Sequence, residues 1–352
     1  MPTTWTSQME KRLIELSSGQ ASESQMAEVL NDEFGTETTR NSVHNKLSRL
    51  DINDLISKPH TVLMPYYDKY RDVYDGGKDG PGKIVEIRSP WRYSPLTRPC
   101  KILCLNDLHI PFQVEDQIQE AINKHRAADI VVLSEIADCY SLSRFDKSRS
   151  IPLEVEIDEI VRLFEYLNET FPLTIVLEAN HTLRAAKMMM RMLPPVLLSL
   201  VEANMLVKLA RPFRNVVVVP NWFIEINDAL IGHGEKFSKI DMRTVVNIYD
   251  FFNEWWRKLG LTNFNLIVQG HTHRQGTVMR AGGLVKVMES GALCYIPDYS
   301  VNRMMNTPQV NGYVVIQQDR NGVTDFNATR EYVLNTPTYK QENNDDGFLG
   351  LR

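Results

Sequence analysis

The chain has 352 residues, with 39 Lys/Arg against 44 Asp/Glu for a net charge of −5, 43% hydrophobic residues, 18 Gly and 17 Pro. At about 150 residues per domain this length corresponds to roughly two folded units, and the composition is globular rather than disordered, collagenous or disulfide-stapled. The acidic balance excludes a global basic field that holds nucleic acid by counterion release, so any such contact has to come from a local patch.

The opening Met1-Pro2-Thr3-Thr4-Trp5 lacks the basic and apolar regions of a secretory signal. The most apolar run, 196–201, is followed by Glu202, Asn204 and Lys208 and is too short to span a bilayer. A cytoplasmic location and no membrane partner are therefore expected. Cys100, Cys104, Cys139 and Cys294 form no CxxC pair and read as reduced, buried thiols.

The first fifty residues read as three short helices. The run from Trp5 to Leu16 is amphipathic, with Met9, Leu13, Ile14 and Leu16 at helical spacing. Ser22-Glu23-Ser24-Gln25 has the form of a capping box ahead of Met26, Val29 and Leu30. The segment 31–35, ending in Gly35, makes the turn, and Thr39 caps a third helix running to Leu50. This layout is that of a helix-turn-helix DNA reader. Residues 1–50 carry five Lys/Arg and seven Asp/Glu, yet the third helix has three cations and no acid. There Arg40, Asn41, Ser42 and Asn45 suit base edges, while Lys46 and Arg49 suit phosphates. The order from Trp5 through Phe34-Gly35 to Thr39-Arg40-Asn41-Ser42-Val43 resembles the helix-turn-helix of the GcrA-like bacterial regulators. A three-helix packing or oligomerisation module with a solvated charged helix gives the same pattern.

From 53 to 99 six prolines alternate with Tyr66, Tyr67, Tyr70, Tyr74 and Gly76-Gly77, the texture of a linker, with Lys83–Ile87 as an isolated strand. The organisation read from sequence is thus 1–52 helix-turn-helix, 53–99 linker, 100–335 α/β domain and 336–352 polar tail.

From Cys100 onward one grammar repeats: a short apolar run reading as a buried strand, then polar residues at its carboxyl end, where catalytic residues of α/β sheets sit. The runs 101–105, 130–133, 174–177, 229–231 and 266–268 lead into Asp107-x-His109, Ser134-Glu135-x-x-Asp138, Ala179-Asn180-His181-Thr182, His233-Gly234 and Gly270-His271-x-His273. Five of the eight histidines lie at these ends. Imidazole nitrogens and carboxylate oxygens are ligands for Mn, Zn or Fe, and two such ions can hold both a hydroxide and phosphoryl oxygens.

These blocks resemble, over about 100–325, the calcineurin-like metallophosphoesterases, whose order is DxH, GDxxD, GNH plus an acid, a later His, then GHxH. The resemblance implies a two-sheet α/β sandwich with flanking helices and a dinuclear centre. Asp107, His109 and His273 would hold one divalent ion, Asn180, His233 and His271 the other, and Glu135 would bridge. Mn is the first expectation, with Fe, Zn or Ni as alternatives. It also implies in-line attack by a metal-bridged hydroxide, with His181 as general acid oriented by Asp138. The segments 139–145 and 289–294 look most like phosphoesterases encoded by bacteriophages, which would place the chain in a bacterial host's cytoplasm. Arg144 and Arg184 are candidates for gripping phosphate. The stretch 183–209, rich in Met and Leu, reads as helical, with Met188, Met189, Met190 and Met192 packing inward or capping the site.

The chain departs from the family pattern at three places: Ser134-Glu135 replaces Gly-Asp, Ala179 replaces Gly, and Thr182 replaces the acid after the motif His. The extra methylene of Glu135 moves the bridging oxygen by about 1 Å unless the backbone shifts, a displacement that costs rate. The leading expectation is a DNA phosphodiesterase or nuclease, its DNA partner bound through the helix-turn-helix, with homodimer formation open. A phosphomonoesterase and a catalytically weakened metal-containing DNA-binding regulator are the other readings.

Overall fold

The computed structural model describes residues 5–17, 22–47, 61–66, 83–88, 91–93, 99–143, 150–198, 204–234, 237–296 and 309–336. The three N-terminal helices form as the spacing predicts: α1 (Ser7–Ser17), α2 (Glu23–Phe34) and α3 (Arg40–Leu47). Ser22 and Gln25 exchange the two hydrogen bonds of a capping box, and Gly35 ends α2 in the left-handed conformation at φ 62°. Met9, Leu13, Met26, Ala27, Leu30 and Val43 make a small core of their own. The predicted end of the third helix, including Arg49, lies outside the described residues, as do most of the Pro/Tyr-rich stretch and the polar tail.

Two strands of the stretch read as linker, β1 (Thr61–Tyr66) and β2 (Lys83–Arg88), pair antiparallel. A third, β3 (Trp91–Tyr93), pairs parallel with a strand of the main domain, so the sandwich recruits chain ahead of Cys100.

The main domain contains β4 (Cys100–Asn106), α4 (Glu115–Lys124), β5 (Ile130–Ser134), α5 (Leu153–Thr170) and β6 (Thr174–Leu177). In the helical stretch that follows, Pro194-Pro195 separates α6 (Leu183–Met192) from α7 (Pro195–Leu198), and α8 (Met205–Ala210) lies further along. Then come β7 (Val216–Val219), β8 (Phe223–Ile226), β9 (Ala229–Gly232), α9 (Arg243–Phe252), β10 (Leu266–Gln269), β11 (Gln275–Arg280), β12 (Val285–Ser290), β13 (Asn311–Gln318) and β14 (Arg330–Leu334).

The strands build two mixed six-stranded sheets, ordered β14-β13-β4-β5-β6-β7 and β11-β12-β10-β9-β8-β3. In the first, β4 to β7 are parallel and β13 joins β4 antiparallel. In the second, β10 lies parallel between β9 and β12.

The period of two along each strand explains the layers. On β4, Ile102 and Cys104 face the second sheet, meeting Ile224, Ile231, Leu266 and Val268 in the central core. Leu103 and Leu105 point the other way, against Ile118 and Ile122 of α4 and Ile160, Leu163 and Phe164 of α5. Across the second sheet, Leu230, Ile267 and Val287 pack on Val245, Ile248 and Phe252 of α9. Helix, sheet, sheet and helix are stacked, with all four cysteines buried and in no disulfide. No described helix is long and apolar enough to cross a membrane.

One expectation fails here. Met188, Met190 and Met192 are 43%, 53% and 69% exposed. The buried side of α6 is made instead by Ala185 and Ala186, so these methionines are not core packing.

Candidate metal centre

Parallel strands deliver their carboxyl ends to one edge of a sheet, and the candidate residues follow from that. Asp107 and His109 leave β4, Glu135 and Asp138 leave β5, Asn180 and His181 follow β6, His233 follows β9, and His271 and His273 follow β10. The turns are tight: Asp107, His109, Glu135, His271 and His273 all have φ between 48° and 83°, in the left-handed region that side chains rarely adopt. Such backbone persists where surrounding structure over-determines it, and it clusters at functional sites.

The centre is organised on Asp107, which is fully buried. Its Oδ1 lies 3.0 Å from His233 Nε2, 3.4 Å from His273 Nε2 and 3.6 Å from His109 Nε2. Its Oδ2 accepts the His271 backbone N–H at 2.8 Å. His109 Nε2 and His273 Nε2 point at each other across 3.0 Å, and the His233 and His271 rings pack edge to face at 5.0 Å. Gly270 makes this possible, because a Cβ there would stand 2.6 Å from Asp107 Oδ2.

Glu135 receives the backbone N–H of His181 at 3.1 Å and of Thr182 at 3.3 Å, just ahead of α6, where an anion is favoured. Its Oε2 is 3.8 Å from His233 Nε2. The longer acid is thus accommodated by backbone donors while still facing the cluster. The other departures find local partners too. Ser134 Oγ donates to Asn106 Oδ1 at 2.7 Å, and Asn106 Nδ2 donates to Ser290 Oγ at 2.7 Å. Thr182 Oγ1 donates to the Ala179 carbonyl and accepts the Ala179 N–H, closing the turn that holds Asn180 and His181.

Asp138 is the second node. Its Oδ2 is 3.4 Å from His109 Nδ1, and its Oδ1 is 3.4 Å from His181 Nδ1 and 2.7 Å from Arg184 Nη1. Arg184, expected on substrate phosphate, therefore commits that nitrogen to Asp138. Arg144 lies outside the described residues.

The charges are coupled. Burial pushes the Asp107 carboxyl up, but His233, His273 and His109 outweigh it and hold the group well below the usual carboxylate range. Asp138 is likewise held low by His109 and His181 against burial. Burial alone would lower His109, yet Asp107 and Asp138 raise it to about 10. His271 is pushed down to about 3 by burial and by His233, which leaves a neutral ring with a free lone pair. Burial also lowers His181, opposed by Glu135 and Asp138.

The donor set fits a cation. Asn180 Oδ1 is buried without a hydrogen-bond partner, a costly state for a polar group in a packed interior. Three imidazole nitrogens crowd one ionised carboxylate oxygen, and carboxylate, amide oxygen and imidazole together suit first-row divalent metals. Two further triads have ligand atoms within 4.8 Å of one another: His109, His273 and Cys294, and His109, Asp138 and His181. The second lies on the Nδ1 sides of His109 and His181, which face Asp138. Cys294 Sγ is 4.0 Å from His273 Nδ1, on the side away from Asp107, so we assign the cation to the Nε2 side. Gln309, absent from the sequence reading, fixes that choice: its Oε1 is 3.0 Å from His273 Nδ1, and its Nε2 donates to the Cys294 carbonyl at 2.7 Å.

In the N-terminal module Asn41 and Asn45 are exposed on α3 and Ser42 is half-buried. Arg40 and His44 pair with Glu23, and Lys46 pairs with Glu10.

No family model matches the chain, and no curated protein does. Solved structures do match. A metallophosphoesterase from Sphaerobacter thermophilus is 13% identical with a TM-score of 0.36, over 67% of this chain and 89% of that one. An uncharacterised Streptococcus pneumoniae protein, described as a predicted phosphoesterase, is 11% identical at 0.29, over 67% and 98%. Vps29 of Entamoeba histolytica, complexed with zinc, is 14% identical at 0.26, over 67% and 99%. At these identities and scores the superpositions do not decide the matter; the strand order and the side-chain geometry stand on their own.

Proposed function

We propose that the chain is a metal-dependent phosphoesterase acting on phosphodiester bonds of DNA. The observation that carries the activity is the convergence of His109, His233 and His273 on Asp107 Oδ1, each within 3.6 Å, at the strand ends of a two-sheet sandwich. Asp107, His109 and His273 would hold one divalent ion, and Asn180, His233 and His271 a second, with Glu135 between them; Mn²⁺ is the ion we propose. When bound, the ions supply positive charge to phosphoryl oxygens and lower the pKa of the attacking water.

The chain's own residues do the rest. Asp107 and Glu135 supply the anionic charge that retains the cations. Asp138 faces His181 Nδ1 and orients the ring, leaving Nε2 to donate a proton to the departing oxygen. A bound phosphodiester adds negative charge beside His181 and favours its protonated form against the burial that lowers it.

The DNA reading is supported by the three-helix module, whose third helix presents Asn41 and Asn45 to solvent. Its cations Arg40 and Lys46 hold Glu23 and Glu10 in the free chain, partly exposed pairs of small net energy that can exchange for phosphate. The test is Mn²⁺-dependent hydrolysis of bis(p-nitrophenyl) phosphate beside p-nitrophenyl phosphate, with an EDTA control. Chelator-sensitive preference for the diester is expected. Preference for the monoester would replace the DNA reading with a phosphatase.

A further inference from the structure

Helix α6 starts directly after the turn that holds Asn180 and His181, and it carries Arg184, Lys187 and Arg191 at i, i+3 and i+7, on one face. With Leu142, Ser143, Met188 and Met192 these cations line a cavity of about 520 Å³. Among the described residues the lining contains no acidic side chain, and Glu178, which follows β6, is an acid whose charge acts on Lys187. One end of the cavity is anchored to the candidate centre, because Arg184 donates to Asp138, which in turn faces His181. The other end is open: Lys187 and Arg191 are exposed, as are Met188 and Met192.

The mixture of cations and exposed thioethers selects among ligands. A small anion or a lone phosphomonoester needs the cations but gains nothing from two exposed methionines. A polymer that repeats phosphates beside flat apolar bases uses both, the cations through charge and the polarizable methionines through contact. The length also agrees. From Arg184 to Arg191 the axis runs about 10 Å, a span over which its cations can meet neighbouring backbone phosphates of one strand.

We infer that this face of α6 is the track for a single strand of nucleic acid on one side of the scissile phosphate, with Lys187 and Arg191 on backbone phosphates and Met188 and Met192 against bases. This rests on the phosphoesterase reading and deepens it: the substrate is a polynucleotide strand, held beyond its reacting group. The unpaired bases of a single strand can reach the methionines; those of a duplex are stacked away.

The experiment is fluorescence anisotropy of a labelled single-stranded hexanucleotide on the full chain, with Ca²⁺ replacing Mn²⁺ to suppress cleavage, across a salt series. Lys187→Glu with Arg191→Glu is expected to weaken binding roughly tenfold or more. The milder Lys187→Ala with Arg191→Ala should lower the slope of log affinity against log salt by about 1.4, at about 0.7 per phosphate contact on single strands. Unchanged affinity and slope in both variants, with melting temperatures equal to the parent, would overturn the track. So would loss of binding to phosphatidylserine vesicles with hexanucleotide binding intact, which would make α6 a membrane-contact face. Hydrolysis of bis(p-nitrophenyl) phosphate by the parent separates the two claims. If it is absent while the hexanucleotide still binds through Lys187 and Arg191, the phosphoesterase reading falls and the binding face stands.

Discussion

Arg184 Nη1 stands 2.7 Å from both the carboxylate and the backbone carbonyl of Asp138. A cation read from the sequence as a candidate grip on substrate phosphate braces the carboxylate behind His181. Arg184→Met is therefore expected to act through Asp138 and His181, lowering kcat on substrates with poor leaving groups by roughly tenfold, a fraction of the roughly 10²- to 10⁴-fold that general acid catalysis contributes. Activated substrates, which need little proton donation, should be affected less. Steady-state kinetics over a leaving-group series checks this, and an equal loss on every substrate would speak for a structural role only.

Gln309 holds His273 Nδ1 at 3.0 Å and so turns Nε2 toward Asp107. Hydrogen-bond partners of this kind tune metal affinity by about 10- to 100-fold. Gln309→Ala should weaken Mn²⁺ binding by such a factor while Gln309→Asn retains part of it, as measured by calorimetric titration. Equal affinity in the parent and Gln309→Ala would remove Gln309 from this role.

The close approach at Gly270 has a defined cost. A methyl group 2.6 Å from Asp107 Oδ2 and 3.1 Å from both Asn106 Cβ and His233 Cδ2 has no space, and overpacking of this kind costs about 1–3 kcal/mol. Gly270→Ala should lower the melting temperature and, by displacing Asp107, reduce bound metal. A variant as stable and as metal-loaded as the parent would show that Asp107 can move freely.

His125, just after α4, is buried edge to face against Tyr313 and Tyr332, and burial with nearby Lys101 and Lys124 brings its pKa down to about 4. Its folded-state pKa lies below the ordinary value of 6.5, so between the two the unfolded chain binds the extra proton. This contribution to stability is complete above about 6.5 and is lost as pH falls toward about 4. His125→Phe should shrink the drop in melting temperature between pH 7 and pH 5, even though it gives up the 3.2 Å contact with the Tyr313 hydroxyl. An unchanged drop would place the acid sensitivity elsewhere.

The strand ends that carry the candidate residues were largely legible because each block ends a run of buried apolar residues, and a strand's carboxyl end is a place a sequence can point to. The apolar runs ahead of Asp107, Glu135, Asn180, His233 and His271 all form strands whose described bounds match the expected ones within a residue. Gln309 was not legible. It follows no apolar run, and its partner His273 is 36 residues away, so only the folded chain shows the contact. Trp91–Tyr93 was hidden for another reason: three residues flanked by prolines carry no readable period, yet they complete a sheet edge.

The misreading of Met188 and Met192 has the same origin. Methionine content suggests a core, but Ala185 and Ala186 suffice to seat α6 and turn the longer side chains outward. The surface pairs of Arg40 with Glu23 and of Lys46 with Glu10 join different helices, so the positive third helix looked less neutralised than it is.

The most direct test of the central claim is metal stoichiometry: Mn²⁺ titrated into chelator-stripped full-length chain, beside an Asp107→Asn, His109→Asn variant of matched melting behaviour. Two ions per chain in the parent and a loss of at least one in the variant are predicted. Absence of Mn²⁺, Zn²⁺ and Fe²⁺ binding in folded parent protein, or full binding in the variant, would contradict the metal centre on which the proposed function stands.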